Sequence, residues 1–92
     1  GLEFFDILRG LRTHIAREES LPPYLVFSDK TLVDMCVRLP MNRTEMMEVN
    51  GMGAYKFEKY GERFLECILE NTGGIREKFY FGEMEEILGR KR

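Results

Sequence analysis

The residues best suited to chemistry lie in one short run, VNGMGAYKFEKYG, residues 49–61, where Gly51 and Gly53 flank Met52 and two lysines and two tyrosines follow. A mid-helix glycine costs about 1 kcal/mol against alanine. Gly51, Gly53 and Gly61 therefore either permit tight turns between helices or let backbone N–H groups face an anion. The order hydrophobic, polar, Gly, hydrophobic, Gly between two short helices is that of a helix-hairpin-helix-like element. In that reading the glycines take positive φ, and unpaired N–H groups of Met52, Gly53 and Ala54 open the next helix at its positive dipole end. Lys56 and Lys59, one to two turns on, add charge to the same phosphate neighbourhood. The alternative is a plain αα-hairpin turn with solvated lysines.

A second chemistry-bearing residue is Tyr24 in LPPYLVF, residues 21–27. Two prolines fix the backbone before it, so its ring either stands exposed, where it can stack on an unpaired base, or follows Leu25, Val26 and Phe27 inward. His14 falls at the edge of a helical stripe without a catalytic or metal-binding companion. Cys36 and Cys67 lack CxxC spacing and a nearby histidine, so they read as free thiols, not as a zinc site or disulfide. No GxxxxGK[ST] loop occurs, and GMGAYK has Lys56 where a dinucleotide fingerprint needs its third glycine. The single His leaves Ser and Cys nucleophiles without a base. The sequence thus offers no catalytic residues, no metal ligands and no cofactor site.

The elements that must position these residues are helical. Phe4, Leu8, Leu11 and Ile15, with Ile7 alongside, form a period-3.6 stripe over residues 2–17, with Glu3, Asp6, Arg9, Arg12, Thr13 and Arg17 on the solvated side. The helix should end near Glu19, because the prolines of LPPY cannot continue it. An extended or single-turn segment leads to a second helix capped by Ser28 or Asp29, with Leu32, Met35, Cys36 and Leu39 on its apolar face and Pro40 closing it. NRTE is a capping box, with Asn42 at the cap and Glu45 reaching back, and opens a short helix through Met46, Met47 and Val49. After the glycine turn, residues 54–60 read as one short helix and 62–71 as another, supplying Phe57, Phe64, Leu65, Ile68 and Leu69. No strand is indicated. The expectation is all-α, a compact bundle of about five short helices that folds without metal or disulfide.

Ninety-two residues suffice for one modest core. With 43% apolar and 33% charged residues the composition is that of a globular domain. The absence of a long apolar run excludes a membrane span or signal-peptide core and suggests the cytoplasm. A net charge of −2 argues against a strong nucleic-acid binder, so any such binding needs a local patch. The chain starts at Gly1 inside an apparent helix, without an initiator methionine, which suggests a piece of something longer and a monomer as a fragment. Residues 1–72 read as the domain. After the linker NTGG, residues 73–92 read as a partly helical extension, with Ile75, Phe79, Met84, Ile87 and Leu88 spaced around Gly82 and a basic GRKR end.

From residue 4 to 69 the chain resembles the HRDC (helicase and RNase D C-terminal) domain found in RecQ-family DNA helicases, bacterial type. The blocks that carry the likeness are LRTHIAREESLPPYLVFSDKTL, the LP that closes the second helix, and VNGMGAYKFEKYGERFL. The resemblance implies a bundle of about five helices and an auxiliary module that binds single-stranded or branched DNA and tunes the substrate choice of an ATP-dependent motor in repair and recombination. It also implies contacts at Tyr24, at Lys30 where the following helix starts, and at the glycine turn with Gly51, Gly53, Lys56 and Lys59. Two rivals stand beside it: a protein-interaction module docking on its helicase core or a repair partner, and an accessory domain of an RNase D-like exonuclease.

Overall fold

A computed structural model describes residues 2–73, and all of its regular structure is helical. Helix α1 (Leu2–Glu19) is followed by the single turn α2 (Pro23–Val26), α3 (Asp29–Arg38) and α4 (Arg43–Met46). Then α5 (Ala54–Lys56) runs through a π-helical turn (Phe57–Gly61) into α6 (Glu62–Thr72). Because Lys56, Gly61 and Glu62 all hold right-handed helical dihedrals, this last stretch is one rod, and the described residues form five helical bodies.

The expected break at Gly61 is therefore absent. Gly61 has φ −58°, and a Cβ there would stand 2.3 Å from Cδ1 of Phe57. The glycine leaves room for the Phe57 ring close against the backbone of the widened turn; it does not reverse the chain. Beyond Gly73, the expected C-terminal extension lies outside the described residues.

Local signals set most element ends. Helix α1 stops where Ser20 turns left-handed (φ 57°) and Leu21 N–H donates to Ala16 O at 2.9 Å, a Schellman-type closure made without glycine. Ser28, not Asp29, caps α3, accepting from Thr31 N–H at 3.2 Å. Asn42 Oδ1 accepts from Glu45 N–H at 2.9 Å, while the Glu45 carboxylate reaches one residue further back than a capping box requires, to Met41 N–H at 2.8 Å.

The core joins Leu8 and Ile15 of α1, Val26 at the end of α2 and Phe27 just after it, Leu32 and Met35 of α3, Met46, Val49 and Met52 around the glycine turn, and Phe57, Tyr60, Phe64 and Ile68 of the rod. Phe27 sits at its centre, edge-on to Phe64 (centroids 5.0 Å apart) and to Tyr60 (6.0 Å). Phe4, Leu11, Cys36 and Leu65 pack half-buried at its margin. Ile7 turns outward despite its place beside the stripe.

Arg12 overturns its assignment to the solvated face. It is only 8% exposed, and its Nη1 donates to Phe27 O (3.0 Å) and Asp29 Oδ1 (2.8 Å). The guanidinium thus closes the loop between α1 and α3, satisfying a carbonyl that burial would otherwise penalise.

Candidate nucleic-acid interface

The PPYLV turn is built to leave one ring outside. Pro22 sits extended at φ −62° and ψ 144°, Pro23 occupies the first helical turn where its missing N–H is harmless, and Leu25 N–H donates back to Pro22 O at 3.0 Å. Val26 and Phe27 enter the core, whereas Tyr24 stays 66% exposed. Of the two alternatives open for Tyr24, the structure has the exposed one.

At the glycine turn the roles of the two glycines separate. Gly51 has φ 84°, and a Cβ on it would meet Thr31 Oγ1 at 2.5 Å, so this position needs glycine for both conformation and space. Gly53 is different from the expectation: at φ −100° and ψ 174° it is ordinary extended backbone at the cap of α5, with open space around its Cβ direction. Nor is the Met52 N–H unpaired, since it donates to Val49 O at 3.0 Å. Asn50 N–H donates to Asp34 Oδ2 at 2.7 Å, and the same oxygen accepts from Arg38 Nε at 2.8 Å. These donors, Asn50 first and then Arg38, hold the Asp34 carboxyl below its ordinary pKa. Gly51 and Asn50 thereby pin the glycine turn onto α3, the helix whose first turn carries Lys30.

The three lysines differ in how free they are. Lys56 Nζ donates to Val26 O at 2.8 Å and also to Leu25 O, the carbonyls that end α2, and lies near the rings of Phe27 (5.6 Å) and Tyr60 (6.0 Å). Burial, and after it the Lys59 charge, lowers its pKa. Two of its three N–H donors are thus engaged by the protein. Lys59 lies over the rings of Tyr60 (5.6 Å) and Tyr55 (5.9 Å), and 3.5 Å from Glu19 Oε1. Tyr55, Tyr60 and then Glu19 raise its pKa. Lys30 is exposed, and among the described residues no carboxylate pairs with it.

The fold therefore brings Tyr24 and the Lys56 segment together directly, and ties the glycine turn to the helix of Lys30. Tyr55 was not singled out from the sequence as a contact residue, yet it is 69% exposed. Its signal was present in the helical spacing, because Lys59 four residues on shares its face.

Other titratable groups serve the frame. Glu18 accepts from Arg63 (2.9 Å) and pairs with His14 (3.0 Å), bracing α1 against α6. Cys36 and Cys67 are free, half-buried thiols whose pKa values burial raises. Among the described residues no group of three or more His, Cys, Asp or Glu could hold a metal ion, and no helix is long and apolar enough to cross a membrane.

Comparison with known proteins agrees with this frame. Residues 1–68 match the family model described as the HRDC domain. The chain is 42% identical over 69 residues to an ATP-dependent DNA helicase RecQ of Haemophilus influenzae, covering 75% of this chain and 11% of that protein. It is 44% identical over 66 residues to the protein of the same name from Bacillus subtilis, covering 72% of this chain and 11% of that one. With the RecQ helicase of Pasteurella multocida it shares 41% over 69 residues, covering 75% and 11% of the two chains. The chain thus spans about a ninth of the length of these relatives.

Proposed function

The chain belongs to the HRDC domain family, and from that premise we propose that it is the auxiliary nucleic-acid-binding module of a RecQ-like DNA helicase in the cytoplasm. Residues 1–72 form the module and 73–92 an extension. It weakly binds single-stranded or branched DNA and tunes the motor's choice of substrate in repair and recombination. The fragment itself performs no catalysis and works as a monomer beside its helicase core.

The observation that carries this reading is the exposed Tyr24 ring on a turn whose last two carbonyls are held by Lys56. A ring presented on a fixed backbone stacks on an unpaired base without a large ordering cost. Lys30 and Lys59 supply charge for flanking phosphates. The Gly51–Gly53 backbone allows close approach of the strand. Lys56 contributes by holding the turn. With so few phosphate contacts and an acidic overall balance, the affinity should fall at roughly 10⁻⁴ to 10⁻⁶ M.

A second reading, docking on the helicase core or a repair protein, is favoured by Val33 and Val37, which project as an exposed apolar pair one turn apart on α3. The exonuclease alternative is less well supported, because the relatives above are helicases by name.

Fluorescence anisotropy of the chain with labelled single-stranded, duplex and junction DNA at two salt concentrations tests the proposal. Tyr24→Ala should weaken single-strand binding by about 1–3 kcal/mol with little change in salt slope. A parent chain whose weak binding ignores salt would refute DNA binding and favour docking.

A further inference from the structure

Tyr55 is the largest exposed group near the Tyr24 turn that the reading above leaves without a task. It stands one residue before Lys56, whose ammonium reaches Leu25 O, one residue after Tyr24. The two exposed rings therefore flank the two ends of one hydrogen bond, and the fold ties their backbones together. The third tyrosine of this region, Tyr60, is buried edge-on against Phe27, so among the described residues Tyr55 is the exposed aromatic ring of the rod. Lys59, one helical turn on, lies 5.9 Å from the Tyr55 ring centre. That ammonium is shared with Glu19 at 3.5 Å, and both groups are partly solvated.

We propose that Tyr24 and Tyr55 form a two-ring platform that stacks two unpaired bases of one single strand, with Lys59 beside the second ring meeting the phosphate between or after them. This rests on the nucleic-acid reading of the module and deepens it by assigning Tyr55 as a second contact residue beside Tyr24. A base pair inside a duplex presents only its edges, whereas an unpaired base exposes a face that an aromatic ring can cover. A ring with a cation close by suits this ligand, because the base takes the ring and the phosphate takes the cation. Lys56 acts as a positioning residue: by fastening the ends of α2 and α5 it fixes the spacing of the two rings.

The test uses the 92-residue chain and two probes, a fluorescein-labelled dT12 strand and a labelled 12-base-pair duplex. Tyr55→Ala should weaken dT12 binding by about fivefold to about a hundredfold, the range that ~1–3 kcal/mol per stacked base gives at ~1.4 kcal/mol per tenfold. Duplex binding and the salt slope should stay as in the parent. Tyr55→Phe, which keeps the ring, should restore dT12 binding. Because Tyr55 is exposed, the melt of each variant should match the parent. If Tyr24→Ala weakens dT12 binding while Tyr55→Ala does not, the platform is overturned and the module reading survives. Loss of binding in Tyr55→Phe also overturns it, since the hydroxyl and not the ring face would then be the contact. A parent chain that binds neither probe overturns both the platform and the module reading.

Discussion

Replacing Gly51 by alanine should destabilise the domain far more than the same change at Gly53, two residues away. Gly51 holds φ 84°, a region in which a Cβ costs about 1–2 kcal/mol. The added carbon would also stand 2.5 Å from Thr31 Oγ1, so Thr31 must move. Thr31 is buried, and its hydroxyl lies 3.2 Å from Ser28 Oγ, the group that caps α3. Displacing it disturbs a cap whose loss costs about 1 kcal/mol. Together these effects reach about 2–3 kcal/mol, and at about 4–8 °C per kcal/mol for a domain of this size the melting temperature should fall by about 8–24 °C. At Gly53, with φ −100° and open space around its Cβ direction, alanine should cost no more than about 1 kcal/mol, the effect of a poorer cap residue. Thermal unfolding followed by circular dichroism at 222 nm, on both variants and the parent, measures the difference. Removing the Thr31 hydroxyl as well, in Gly51→Ala/Thr31→Ala, should return part of the loss, because the close contact vanishes while the backbone strain stays. If Gly51→Ala melts with the parent, or if the two glycine variants melt alike, the conformational argument for this turn is wrong.

Three other outcomes follow from the same geometry. Gly61→Ala should destabilise by about 1–3 kcal/mol through overpacking against the Phe57 ring, read by urea unfolding; a neutral result would show that the π-helical turn relaxes freely. Asp34→Asn should lower stability at neutral pH, because the carboxylate that accepts from Asn50 N–H and Arg38 is lost. Since its folded pKa is depressed, the Asp34 contribution is present above the unfolded value near 3.8 and fades as pH falls through the lower folded value. Parent and variant melts should therefore converge in acid, and a gap that persists at low pH would speak against the linkage. Among the lysines, Lys30→Ala and Lys59→Ala should each reduce the slope of log affinity against log salt on single-stranded DNA by about 0.7. Lys56→Met should weaken binding with little change of slope, as expected of a residue that holds a turn; a slope change equal to that of Lys59→Ala would make it a phosphate contact instead.

What the sequence by itself determined is what depends on neighbours within a helical turn or two. The stripe of Leu8, Leu11 and Ile15, the stop near the prolines, the start of α3 at Ser28 or Asp29 and the Asn42 cap all rest on contacts between residues at most four apart, which spacing and residue type specify directly. The all-α class and the family likeness over the PPYLVFSDKTL and VNGMGAYKFEKYGERFL blocks were legible for the same reason. Only the tertiary structure decided which polar and glycine residues do structural work, because their partners lie elsewhere in the chain. Arg12 reads as solvated by helical period, yet it is buried, since the carbonyl of Phe27 and the carboxylate of Asp29 come to it across the α1–α3 loop. Gly51 and Gly53 look equivalent in the string, and Thr31 distinguishes them. Gly61 looks like a helix break until the Phe57 ring is found lying against it. The candidate interface divides in the same way: residue types made Tyr24, Lys30, Lys56 and Lys59 candidates, but only the fold shows that the carbonyls of Leu25 and Val26 engage the Lys56 ammonium and that the Tyr55 ring stands exposed.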